Sequence, residues 1–350
     1  MTPQRLSFLG GRQRQKANTR IQFLALGRPE VDLWLGSWVA VGGAWAAAGR
    51  LRVGTRAAEG RGLGNERRLG WKVRNSVGTD REKGVGMVSE TGVESVAYSV
   101  VDEVATITLN RPDLRNRMTV EMLAQAHELL GRAAEDDGVR VVVLTGAGNT
   151  FCAGADLAGA SDAAAADSKW SGPKAIVHVL NAILDHPKPV IARVQGHVAG
   201  GGNGLVAACD LSIAVESAKF AFSEVRLGVA PAVISVVCLD KMSVADGFDL
   251  LLTGERVSAT RAKEAGLLNK VVADDALDAA VATYVDQLRR GGPKALAATK
   301  QLLQRVRTMP RGEAFDWTAE LSASLFASEE AQKGMTAFLN REPAPWVPTD

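Results

Sequence analysis

Two short runs rich in β-branched residues, VRVVVLTG (139–146) and KPVIARVQG (188–196), constrain the fold of this chain most. Each is almost continuously apolar and each stops at a glycine. Strands buried on both faces read this way, whereas a half-buried strand alternates, as VATITLN (104–110) does. Helical segments lie between them. Thr119 is placed to N-cap VEMLAQAHELLGRAAEDD, and Pro187 and Pro189 bound the end of KAIVHVLNAILDH. Strands alternating with helices predict an α/β architecture. After Asp274 the strand signal stops and three amphipathic helices follow. Gly291 and Gly292 close the first, and Pro293 opens the second. A helical layer of this kind covers the core or meets a partner.

The chain is two compositionally different pieces. Residues 1–86 hold 16 Lys and Arg against 6 Asp and Glu, whereas 87–350 hold 25 against 33, so a net charge near zero conceals +10 followed by −8. The first piece has no acidic residue before Glu30 and then runs uncharged through LWLGSWVAVGGAWAAAG, at the lower edge of a membrane span and rich in glycine. Three readings of this leader stand open: a start called upstream of the true one at Met87, a transit or signal-like segment, and a basic arm or anchor. Function is sought after Met87, with a core over 87–285 and a helical region over 286–350.

Several chemistries drop out. Cys152, Cys209 and Cys238 are odd in number, widely spaced and never in a CxxC pair, which speaks for a reducing compartment, the cytoplasm, and against structural zinc. No phosphate loop, nucleophile elbow, HExxH or complete GxGxxG is present. His127, His178, His186 and His197 show no metal-ligand spacing and read as structural. A negative body without an aromatic–basic stripe does not suit nucleic acid, and no membrane partner is expected of it.

What remains are two small-residue turns, each after a strand: TFCAGADL (150–157) and HVAGGGNGL (197–205). Small residues let backbone N–H groups face a cavity, and a helix starting there adds its positive end. Two such turns facing each other make an oxyanion hole.

VATITLNRPDLRN, FCAGADL, VQGHVAGGGNGLVAACDLSIA, KFAFSEVRLGVAP and LLTGERVSATRAKEAGLLNKVV occur in that order, and SEEAQKGMTAFLNRE closes the chain. Together they resemble the enoyl-CoA hydratase/isomerase, or crotonase, superfamily from about Glu94 onward. The resemblance implies a spiral of β-β-α turns with a C-terminal helical layer, trimers that stack in pairs, an acyl-CoA substrate and no separate cofactor or metal. It implies that the N–H groups of Ala155 and Gly201 hold the thioester oxygen, a side chain at Gly201 being excluded by the thioester itself. CoA would be cradled by main chain around Ala153, Asp156 and Leu157 and by Arg115, with Gly202 and Gly204 beside the acyl group; Asp156 also reads as a helix cap.

The acid–base groups depart from the family pattern. Hydratases of the family carry two glutamates; the later one matches Glu224, while the earlier position is Gly204, which can hold neither water nor proton. A SEVRLGVAPAVIS segment beside a glycine at 204 resembles methylglutaconyl-CoA hydratase-like proteins. That implies hydration or dehydration of a branched or carboxylated enoyl-CoA, with room for the acyl group where the side chain at 204 is missing. Double-bond isomerisation with one carboxylate, decarboxylation, hydrolysis and CoA binding without catalysis stay open.

Overall fold

The computed structural model describes residues 94–156, 170 and 173–348. The leader over 1–86 and the site residue Leu157 lie outside them. Strands β1 (Val96–Val101) and β2 (Val104–Leu109) form an antiparallel hairpin. Helix α1 (Val120–Glu135) follows, with the Thr119 hydroxyl accepting from the Met122 N–H at 3.1 Å.

From there the chain repeats one step: a long strand, a strand of three residues, then a helix. The first step is β3 (Val141–Gly146), β4 (Thr150–Cys152) and α2 (Pro173–Leu184). The second is β5 (Val190–Val194), β6 (His197–Ala199) and α3 (Gly201–Ala208). The third is β7 (Leu211–Val215), β8 (Lys219–Ala221), a 3-10 turn over Ser223–Leu227 and α4 (Ala232–Cys238). Then come α5 (Val244–Thr253), β9 (Arg256–Ser258), α6 (Ala259–Glu264) and β10 (Lys270–Val272). The longer strands build one sheet in the order β1-β2-β3-β5-β7-β10, and the short ones build a second in the order β4-β6-β8-β9. β3 sits inside the larger sheet and is buried along its whole length, which is why its sequence does not alternate.

This winding positions the site. β4, β6 and β8 are parallel neighbours, so the turns leaving their C-terminal ends emerge side by side, as ligand-binding turns do in parallel sheets. Those turns carry Ala155, Gly201 and Glu224.

Past β10 only helices follow among the described residues: α7 (Leu277–Arg289), α8 (Pro293–Arg305), α9 (Arg311–Phe326) and α10 (Glu329–Asn340). The sequence reading names three; the fourth, α10, is capped by Ser328, whose hydroxyl accepts from the Ala331 N–H. The boundary expected between 285 and 286 falls inside α7, whose Leu277, Val281 and Val285 belong to the core. α8 is pinned to the sheet by Lys300, 8% exposed, which donates to the Ile183 carbonyl at 2.8 Å and pairs with Asp210 at 2.9 Å.

His186 is buried between α1 and the start of β5. Its Nε2 lies 3.2 Å from the Leu130 carbonyl and its Nδ1 accepts from the Lys188 N–H at 3.1 Å. The neutral ring with the proton on Nε2 satisfies both contacts, and burial pushes its pKa from 6.5 down to about 4. Below pH 6.5 the unfolded chain takes up this proton while the folded protein does so only near pH 4. Stability is therefore full above that range and falls as pH drops through it, by on the order of 1 kcal/mol per pH unit. Thermal unfolding across the interval should show the decline, and His186→Gln should flatten it; identical slopes in the two proteins would refute this source.

Candidate active site

The first turn is held from one side. Ala153 donates its N–H to the Arg115 carbonyl at 3.1 Å, Met118 donates to the Gly154 carbonyl at 2.8 Å, and Asp156 donates to the Met118 carbonyl at 3.0 Å. In this short parallel pairing, with Met118 bridged to Ala155, the Ala155 N–H is the one turned away. It donates to no acceptor of the described residues. Gly154, at φ 92°, makes the bend.

The second turn is built by Gly200, whose φ of 52° and ψ of −129° suit glycine alone. Its own N–H is used, donating to the Ala221 carbonyl at 3.0 Å. The next N–H, that of Gly201, opens α3 and so has no intrahelical acceptor. The turns touch at their glycines: a Cβ on Gly154 would lie 3.2 Å from the Ala199 carbonyl oxygen and 3.6 Å from the Gly200 Cα. Each free donor is the residue directly after the glycine at that contact.

Glu224 completes the junction. A Cβ on Gly200 would stand 3.4 Å from Glu224 Oε1 and 3.5 Å from the Gly154 Cα, so the carboxylate lies against both turns. The 3-10 turn that carries it closes through Gly228 in the left-handed region and through the Val229 N–H, which donates to the Glu224 carbonyl at 3.2 Å. Oε2 is buried without a hydrogen-bond partner. Burial raises the Glu224 pKa above the usual 4.5, against a smaller opposing effect of its own backbone N–H. A half-buried carboxyl with one free oxygen beside two free N–H donors can move a proton while the donors hold negative charge on an oxygen.

The family profile for enoyl-CoA hydratase/isomerase matches residues 100–348, which include all three groups. The chain belongs to that family. Enoyl-CoA hydratase EchA19 of Mycobacterium tuberculosis is 34% identical over 239 residues, covering 67% of this chain and 90% of the relative. (E)-benzylidenesuccinyl-CoA hydratase of Thauera aromatica is 32% identical over 251 residues, covering 70% and 96%. The crystal structure of an enoyl-CoA hydratase of Mycobacterium smegmatis aligns with a TM-score of 0.68 at 34% identity, covering 73% of this chain and 99% of that one. The protein is thus an enzyme of the hydratase type, a lyase with the crotonase fold.

The remaining residues expected at the crotonase site divide. Arg115 and Ala153 line a surface hollow of about 310 Å3 with Ala199, His197 and Arg256. Ala155, Gly201 and Glu224 do not line it. Asp156 pairs with Arg117 at 3.2 Å.

The glycines of α3 are corrected by the packing. A Cβ on Gly201 would overlap the terminal methyl of Met118 and lie 3.1 Å from Ile176 Cδ1, so neighbouring side chains exclude one there, not the thioester. A Cβ on Gly202 would stand 2.8 Å from the Cys152 carbonyl oxygen: this glycine lets α3 approach β4, and its α-carbon faces packed protein in place of an acyl group. A Cβ on Gly204 would stand 2.5 Å from Ile234 Cγ2, so the room expected for a substrate is filled by α4.

One residue of the site escaped the sequence reading. Asn203 is fully buried, and its Nδ2 donates to the Gly200 carbonyl at 3.2 Å and to the Ala221 carbonyl at 2.9 Å. It ties the turn bearing the Gly201 donor to the strand end that leads into Glu224. The signal was available: Asn203 is the lone polar side chain in the otherwise apolar GGGNGLVAA, and a buried amide needs partners.

Proposed function

We propose that this enzyme adds water to, or removes it from, a branched or carboxylated 2-enoyl-CoA, with the thioester oxygen between the N–H groups of Ala155 and Gly201 and Glu224 as the proton-transfer group. The observation that carries the reading is the junction of Gly154 and Gly200 with the Glu224 carboxylate against it. In the direction of dehydration, Glu224 takes the proton from the α-carbon and the electron pair moves onto the thioester oxygen. The two N–H groups stabilise that oxyanion, and its collapse expels the β-hydroxyl, which leaves as water with a proton. Hydration is the reverse. A relative named for the hydration of (E)-benzylidenesuccinyl-CoA, a substituted succinyl thioester, supports the substrate class. Arg115, in the hollow beside Ala153, is proposed to meet a CoA phosphate.

The second reading is double-bond isomerisation. It is favoured by the filling of the Gly204 seat by Ile234, which leaves Glu224 as the carboxylate at the junction. A trimer, or a dimer of trimers, is proposed because α9 and α10 expose Phe315, Phe326, Phe338 and Leu339, more apolar surface than a monomer usually leaves open. No helix of the described residues is long and apolar enough to cross a membrane.

The test is turnover of a panel of straight, branched and carboxylated 2-enoyl-CoAs and the matching 3-enoyl-CoAs by the full chain. Hydration of a branched or carboxylated 2-enoyl-CoA above the straight-chain rate is expected. Turnover confined to 3-enoyl-CoAs would replace it with the isomerase reading.

A further inference from the structure

α4 lies across the start of α3 and presents one face to it. Ile234 and Cys238 are one helical turn apart, and so share a side of α4. Ile234 is 3% exposed. Its Cγ2, Cβ and Cα would lie 2.5, 3.0 and 3.7 Å from a Cβ on Gly204, so side chain and backbone alike occupy the seat of the missing group. Cys238, fully buried, is close enough to Glu224 for the carboxylate charge to help raise its thiol pKa, after the larger effect of burial. The same face of α4 therefore runs from Gly204 to Glu224, and it offers hydrocarbon and a neutral thiol.

We propose that Ile234 is the specificity-determining residue of this enzyme: seated over Gly204, it closes the acyl end opposite Glu224 with hydrocarbon and selects a branched, uncharged acyl chain over a carboxylated one. This rests on the proposed placement of the acyl-CoA at the junction and narrows its substrate class. A methyl branch meeting the Ile234 side chain gains apolar contact, whereas an acyl carboxylate would be buried there without a donor. An uncompensated buried charge is strongly disfavoured. Gly204 thus acts as the cavity that admits Ile234 and has no contact of its own with substrate.

Binding to saturated thioesters, which cannot react, tests the pocket apart from the chemistry. Isothermal titration of the full chain should show isovaleryl-CoA bound at least about 10-fold more tightly than glutaryl-CoA, the discrimination that a desolvated charge or a lost apolar contact commonly produces. Ile234→Ala should raise the affinity for hexanoyl-CoA relative to butyryl-CoA by about 10-fold, because truncation lengthens the pocket. Should the alanine variant fail to fold, Ile234→Val removes one methylene and should move the same ratio about threefold in the same direction. The proposal is overturned if wild-type protein binds glutaryl-CoA as tightly as isovaleryl-CoA, or if the hexanoyl-to-butyryl ratio stays within about 1.5-fold in whichever variants fold. Normal acyl selectivity with no turnover of any enoyl-CoA would leave Ile234 in place and strike the catalytic reading instead.

Discussion

Glu224→Gln is expected to lower turnover by about 100-fold or more, the usual scale for a general acid or base, while fold and acyl-CoA affinity stay as they are. The substitution is nearly isosteric. No partner is stranded by it, since the buried Oε2 has none and no side-chain donor holds the carboxylate. What is lost is the capacity to accept and return a proton beside the Ala155 and Gly201 donors. The pH dependence gives an independent check. Burial raises the carboxyl pKa above 4.5, so the ionised form that takes the α-proton is depleted as pH falls through a value higher than that of an ordinary glutamate. Wild-type kcat/KM should decline on that acid limb, and the residual activity of the glutamine variant should not show it. A glutamine variant with wild-type kcat would sink the assignment, as would an acid limb that survives the substitution unchanged.

The parts of the fold that sequence displays are those whose cause is local. β3 and β5 read as buried strands because β-branched residues on both faces leave no other signature, and α1 announced itself through Thr119. The strands of the smaller sheet, β4, β6, β8 and β9, have three residues each, too few for a period to appear. The pairing of β4, β6 and β8 is nevertheless what gathers three distant turns into one site. The motifs could name Ala155, Gly201 and Glu224 only through resemblance; their adjacency is a product of the winding. Ile234 lies 30 positions beyond Gly204, and nothing in either local sequence says that one fills the place of the other. Sequence shows that a side chain is missing, and only packing shows what stands there.

Gly201→Val should reduce kcat by about 100-fold to 1000-fold, the cost of misplacing one donor of an oxyanion hole, and it should do so by moving backbone, not by blocking substrate. Gly201 is the first residue of α3 and has no positive φ, so its backbone alone tolerates any residue. The obstacle is the space around its α-carbon. A Cβ there overlaps the Met118 terminal methyl, the far end of a flexible side chain, and approaches Ile176 Cδ1 at 3.1 Å. Alanine needs only a swing of Met118, and Gly201→Ala should keep most of the activity. Valine adds two γ-methyls toward Met118 and Ile176, so the start of α3 must shift, and the Gly201 N–H shifts with it. Overpacking of this size costs about 1–3 kcal/mol, visible as a lower melting temperature. Met118→Ala in the valine background supplies the missing volume, and both melting temperature and turnover should recover together. Recovery of stability without turnover would show that the valine obstructs the thioester directly, and full activity of Gly201→Val alone would show that the carbonyl is not held by this N–H.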